Sequence, residues 1–190
     1  GMSSAASDVY KRQISDFVNW MNQKKIIDAI VLDFSKAFDK VPHDMLLTKL
    51  AHAGITGSTR RWIRHWLKGR KQHVVIDGEM SEPCDVSSGV PQGSVLGPLL
   101  FLIFINDIAL GLNSTVRLFA DDAILYRPVS SPDDHRLLQE DLLTLSRWAD
   151  TWCMEFNTGK CYVLHIQTKS QKKDNVCLLY TSPSPRDGLL

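Results

Sequence analysis

The sequence predicts an α+β fold, an antiparallel sheet packed on long helices. Three observations point there. Apolar, β-branched runs at 26–34, 115–120 and 123–128 have the length and composition of strands. Stretches at 14–25, 42–54 and 131–152 repeat apolar residues at helical spacing. Of the 190 residues 44% are apolar and 23% charged, which is enough for one domain with a real core.

In chain order, "ISDFVNWMNQKK" sets Ile14, Phe17, Val18 and Met21 on one helical face. "IIDAIVLDF", Ile26 to Phe34, is bounded by charge and reads as a buried strand. In "PHDMLLTKLAHAG" the stripe Leu46, Leu47, Leu50 and Ala53 stops at Gly54, a glycine C-cap. "STRRWIRHWLKGRKQ" stacks Trp62, Ile63, Trp66 and Leu67, which predicts both tryptophans in the core. Its bases Arg60, Arg61, Arg64 and Lys68 read as a solvated helix face, with phosphate contact as the alternative.

"QHVVID" and "EPCDVSSG" read as two strands, with Asp77–Gly78 as the turn signal between them. A loop, "GVPQGS", leads into "VLGPLLFLIFINDIALGL", apolar nearly all round and so predicted to be a buried helix. "TVRLFA" and "AILYRP" are strands flanking Asp121 and Asp122. Ser131 as N-cap, Pro132 at the first helical position and Asp133–Asp134 in the first turn open a helix. Its face continues through Leu138, Leu142, Leu145, Trp148 and Trp152. "MEFNTGKCYVLHIQ" predicts strand, turn and strand.

The two ends differ from the rest. "SSAASDVYKRQ" and "CLLYTSPSPRD" have no amphipathic period. Asp8–Gln13 can be written in codons whose reverse complement, shifted by one base, encodes Cys177–Ser182. That inverted repeat resembles the mosaic end of a sequencing-library transposon adapter. Residues 1–13 and 177–190 are therefore assigned to translated adapter, against the plainer reading of two unusual tails, and 14–176 to the domain itself.

With Lys11, Arg12, Arg186, Asp8 and Asp187 set aside, the remaining acidic and basic side chains balance. Any nucleic-acid contact must then come from local clusters. Cys84, Cys153 and Cys161 have no CxxC spacing and are odd in number, so neither a zinc site nor a disulfide framework is supported. A reducing compartment fits. No run approaches the roughly 18–20 apolar residues of a membrane span, and no secretion signal is recognised.

Asp121 and Asp122 sit where two apolar strands meet, and Asp33 ends a third. Two unit charges at ~4 Å repel by roughly 4 kcal/mol at an effective dielectric of 20. Either the carboxyl pKa values rise or a cation neutralises the group. Oxygen ligands alone point to Mg²⁺ or Mn²⁺ rather than zinc. Two such ions, ~3.5–4 Å apart, would clamp the attacking and leaving oxygens of a phosphoryl transfer. A hairpin turn with solvated aspartates explains the Asp pair equally well by itself.

The combination is more specific. "LDFSKAFDKVPH", "GVPQGSVLGPLLF", "LFADD" and "FNTGKC" occur in this order, and across 14–176 the chain resembles the palm of reverse transcriptases from non-LTR, LINE-type retrotransposons. The resemblance implies a right-hand polymerase palm with part of the fingers and a catalytic aspartate hairpin. It implies RNA-templated DNA synthesis, with an RNA template, a DNA primer and dNTP as partners and two Mg²⁺ ions as cofactors. Asp33 and Asp121 would hold both metals, with Asp122 auxiliary and the Phe34 carbonyl available to one ion. Phe38 matches the steric gate that excludes a 2′-hydroxyl. Pro91, Gln92 and Gly93 match the loop lining nucleotide and template, and Lys160 the lysine that protonates the pyrophosphate leaving group.

Each residue also has a plainer reading: core packing for Phe38, an exposed polar loop for Gln92, a solvated lysine for Lys160. Rival functions are a non-catalytic nucleic-acid-binding α+β module, a degenerate retroelement remnant and an RNA-templated RNA polymerase, against which Phe38 speaks. The resemblance places most of the fingers, the thumb and an endonuclease outside this stretch, so the isolated chain is expected to polymerise poorly. It implies no membrane association, and a place in nucleus and cytoplasm within a retroelement ribonucleoprotein.

Overall fold

A computed structural model of the chain describes residues 2–119 and 121–167. The segment 177–190, assigned above to adapter, lies outside them. The elements run α1 (Met2–Asn22), β1 (Ile26–Asp33), α2 (Ala37–Lys40), α3 (His43–His52), α4 (Gly57–Leu67), β2 (Lys71–Gln72), β3 (Val75–Ile76), β4 (Glu79–Met80) and β5 (Cys84–Asp85). There follow α5 (Leu96–Ile105), β6 (Thr115–Phe119), β7 (Asp122–Val129), α6 (Pro132–Thr151) and β8 (Tyr162–Ile166). No helix among the described residues is long and apolar enough to cross a membrane. The chain forms two compact units. One comprises residues up to Phe34, Gly111–Ser146 and those from Phe156; the other comprises Ser35–Leu110 and Arg147–Glu155.

The first unit is built on an antiparallel sheet in the order β6-β7-β1-β8. β1 is internal, and Ile27–Ile30 is buried throughout, Asp28 included, as expected of a strand covered on both faces. Phe17, Trp20 and Met21 of α1 pack against Ile27, Ala29 and Tyr126 on one face. The Tyr126 hydroxyl donates to Asp16 at 2.6 Å, and Arg117 donates to both. Burial, then the Asp16 hydrogen bond, pushes the Tyr126 hydroxyl up to about 12. α1 begins at Met2, not near Ile14 as expected. Residues 3–13 contain neither glycine nor proline, so nothing stops a helix from propagating back from the anchored turns.

On the opposite face Asp28 is fully buried. It lies 2.5 Å from Nδ1 of His165 and 3.2 Å from that of His135 at the start of α6. Asp134 completes that helix start. Its carboxylate accepts the backbone N–H groups of Ser130 and Ser131, the return half of a capping box, and those bonds hold its pKa below the usual carboxylate range. Leu138, Leu142 and Leu145 are buried as their spacing predicted.

In the second unit α3 ends as its glycine implied. The N–H of Gly54 reaches the Ala51 carbonyl and that of Ile55 the Leu50 carbonyl, at 3.0 and 2.8 Å. Lys49 is buried among Phe104, Trp148 and Trp152, with its ammonium 3.7 Å from the Trp152 ring centre. It donates to the Phe104 carbonyl and to Asp107. Burial lowers its pKa, and Asp107 works against that shift.

Five expectations are corrected here. α5 stops at Ile105, where Asp107 turns to meet Lys49 and the Trp148 indole. It is also not buried all round. α2 and α3 contact it, and Gly97, Leu100, Phe101, Phe104 and Ile105 are buried while Leu99, Leu102 and Val95 are exposed. Trp62 is 54% exposed and stacks on Trp66, because Ile63 and Leu67 take the inward positions of α4. The strands expected at 72–77 and 82–89 shrink to two-residue pairs, β2 with β5 and β3 with β4. All are exposed, so no apolar face extends them. The strand expected at the start of "MEFNTGKC" is a single bridge from Phe156 to Phe34, whose rings stack 4.7 Å apart.

Candidate active site

The antiparallel register of β1 with β7 brings Asp33 directly opposite Asp122. β6 joins the same end, with Phe119 paired to Asp122, so Asp121 occupies the turn of that hairpin. Side chains alternate along a strand, which sets Asp33 and Asp122 on the face that carries Ile27, Ala29 and Tyr126. α1 covers that face at the Ile27 end through Phe17, Trp20 and Met21. Apolar strands thus hold three acids at one sheet end.

Asp33 is mostly buried, with 16% of its side chain exposed, while Asp122 faces solvent. Although Asp122 is exposed, the partial desolvation it meets at the sheet end, then repulsion from Asp121 and Asp33, raises its pKa, and Lys160 partly offsets the rise. The Asp33 carbonyl accepts the Asn157 N–H at 2.7 Å. The Asn157 carbonyl in turn accepts from Lys160 and Cys161. That turn carries the Lys160 ammonium to 3.5 Å from Asp33, with the lysine otherwise exposed. Sequence pattern alone left Lys160 as solvated as any lysine after a glycine turn; the ion pair is a tertiary fact.

The donor set suits a hard divalent cation. It consists of carboxylate oxygens, with the charged form of Asp122 disfavoured by its neighbours and the Lys160 ammonium beside Asp33. Among the described residues, no group of three or more acidic, histidine or cysteine side chains is already closed around a single metal position. The acids converge on one strand end without forming a finished cage.

The second unit holds the other residues singled out by sequence. Phe38 lies on α2, its ring stacked on that of Phe101 at 4.6 Å. Pro91, Gln92 and Gly93 follow in the loop before α5. The Gln92 amide donates to Asp39 at 2.9 Å, and Ser94 accepts the Gly97 N–H at the helix start. Pro91 and Gln92 line a cleft of about 780 Å³ with Lys36, Asp39, Arg70 and Lys71.

Sequence reasoning missed Arg70. It follows the bases read as a solvated face, in the same basic stretch 60–71, yet it donates to the carbonyls of Leu67 and Gly89, and Arg60 donates to that of Leu47. No local signal separates these arginines from their exposed neighbours.

The family described as Reverse transcriptase (RNA-dependent DNA polymerase) matches residues 7–179. The RNA-directed DNA polymerase of mobile element jockey from Drosophila funebris is 35% identical over 150 residues, 74% of this chain and 16% of that protein. The probable RNA-directed DNA polymerase of transposon BS from Drosophila melanogaster is 32% identical over 156 residues, 75% of this chain and 17% of that one. The chain thus spans about a sixth of the length of these curated relatives. Among solved structures, apo telomerase from Candida tropicalis shares the fold with a TM-score of 0.60 at 13% identity. The match covers 92% of this chain and 37% of that one. With an antiparallel palm-type sheet, an aspartate hairpin and a family match over nearly its whole length, the chain belongs to the reverse transcriptase family.

Proposed function

We propose that this chain is the palm, with part of the fingers, of a non-LTR retroelement polymerase that extends a DNA primer on an RNA template. The primer 3′-OH attacks the α-phosphate of a dNTP, a new phosphodiester forms and pyrophosphate leaves. One observation carries the reading: the pairing of Asp33 with Asp122 beside Asp121 on an otherwise apolar sheet end. A stable fold gains nothing from three mutually repelling acids; a site for cations and phosphates requires them.

Asp33, Asp121 and Asp122, with the Phe34 carbonyl, would hold two Mg²⁺ ions, or Mn²⁺ as a substitute. When bound, such ions activate the attacking oxygen and stabilise charge on the leaving group. The chain's own residues do the rest. Lys160 supplies positive charge and a proton to the departing pyrophosphate oxygen. Phe38 fills the space a 2′-hydroxyl would need. Gln92, with a donor and an acceptor on one amide, and Gly93, with no side chain to intrude, line the nucleotide and template. Template recognition is supported by the relatives' naming as RNA-directed polymerases. The telomerase fold neighbour adds that Candida tropicalis telomerase forms a complex with a fragment of telomeric RNA.

In the complete enzyme, Asp33→Asn or Asp121→Asn should abolish nucleotide incorporation while circular dichroism and primer–template binding stay unchanged. Incorporation retained by either variant would refute the assignment.

A further inference from the structure

We propose that Arg70 is a positioning residue for sugar discrimination: through the Gly89 carbonyl it holds a strap that fixes Phe38 in place. The proposal rests on the reading of Phe38 as the gate. α2, which carries Phe38, is four residues long, opens from Lys36 at φ +51° and has no side-chain cap. A single turn of helix does not hold itself, so the ring must be located from outside.

One side is supplied by Phe101, stacked on the Phe38 ring and itself buried. The backbone is held by residues 88–92. The Val90 N–H donates to the Phe38 carbonyl, the Ser88 hydroxyl to the Asp39 carbonyl and the Gly89 N–H to the Val41 carbonyl, each at 2.8 Å. Gln92 adds a bond to the Asp39 carboxylate at 2.9 Å. Three carbonyls around the gate are thereby tied to one strap.

The strap is tied down in turn. The Gly89 carbonyl accepts Nη2 of Arg70 at 2.8 Å and lies 2.9 Å from Nε2 of His43, while Nε of Arg70 donates to the Leu67 carbonyl at 3.0 Å. Arg70 therefore bridges the end of α4 to the strap. Its side-chain hydrogen bonds run to the Gly89 and Leu67 carbonyls, so its effect on sugar choice passes through Gly89, Val90 and the Phe38 carbonyl. Discrimination by a ring is sensitive to such support, since a displacement of about 1 Å can alter rates by ~10²-fold.

The test compares kcat/KM for a dNTP and its ribonucleotide in the complete enzyme bearing this sequence. Arg70→Met should lower the dNTP:rNTP ratio roughly tenfold, the order expected for one lost charge-assisted hydrogen bond. Arg70→Lys, which can still donate to Gly89, should retain most of it. Ser88→Ala, an exposed single-bond deletion, should lower the ratio about two- to threefold and keeps the test decisive should Arg70→Met not fold. Arg70→Met combined with Phe38→Val should discriminate no worse than Phe38→Val alone. If Phe38→Val leaves the ratio unchanged, the gate reading itself fails. If Phe38→Val lowers the ratio while Arg70→Met and Ser88→Ala change only the overall rate, the gate stands and the positioning role is overturned.

Discussion

Gly89→Ala separates two costs that a glycine can hide. Gly89 has φ +85°, and a Cβ there would meet the Asp39 carbonyl oxygen at 2.7 Å, Asp39 Cα at 2.8 Å and the Phe38 carbonyl oxygen at 2.9 Å. All three are backbone atoms and cannot rotate aside. The left-handed conformation costs alanine about 1–2 kcal/mol. Relieving the clash means moving the strap away from α2. That weakens the Gly89 and Val90 N–H bonds, worth about 1 kcal/mol each. The expected loss is therefore about 3–4 kcal/mol, a large part of a typical total of about 5–15 kcal/mol. Gly93→Ala is the control. Its φ is +77°, but nothing lies within 4 Å of its Cβ position. It should lose only the conformational part, about 1–2 kcal/mol. Urea unfolding followed by tryptophan fluorescence reads both, and with slopes of about 1–3 kcal/mol/M the two midpoints should differ by about 1 M. Losses that agree within about 0.5 kcal/mol would refute the claim that the strap is pressed against the gate turn.

Three further outcomes are expected. Because the Asp122 pKa is raised in the fold, its contribution to stability is full at low pH and is lost as pH rises through the folded value. Asp122→Asn should thus stabilise the ion-free chain near neutral pH, by only about 0.2–0.5 kcal/mol, since Asp122 is exposed and its repulsion is screened by solvent. That gain should vanish in acid, and a gain equal at all pH values would contradict the repulsion. Tyr126→Phe removes the bond to Asp16 and should cost about 1.5–3 kcal/mol. Deleting residues 1–13, which precede every anchor of α1 described above, should leave thermal stability nearly unchanged. A large loss on that deletion would show that the first turns of α1 support the fold.

Much of the sheet was legible in the sequence. β1, β6 and β7 fall where short β-branched runs bounded by turn residues had placed them, and α3 and α6 keep their predicted caps. Buried strands and capped helices leave such local marks because propensity and capping act over a few residues. The misreadings share a cause. Periodicity reports which face of an element is apolar but not what covers it. Leu99, Leu102 and Trp62 look like core and are exposed. Lys49 looks like a surface lysine and is caged by three rings drawn from α5 and α6 and their flanks.

The sequence by itself determined the family, the three acids and their setting at the ends of apolar strands, since these depend on residue type and order along the chain. Only the tertiary structure decided that Asp33 faces Asp122, that Lys160 pairs with Asp33 and that Arg70 reaches the Gly89 carbonyl. Register and long-range hydrogen bonds join segments far apart in the chain. Their partners are chosen by how the sheet and the loops close, which no local pattern records.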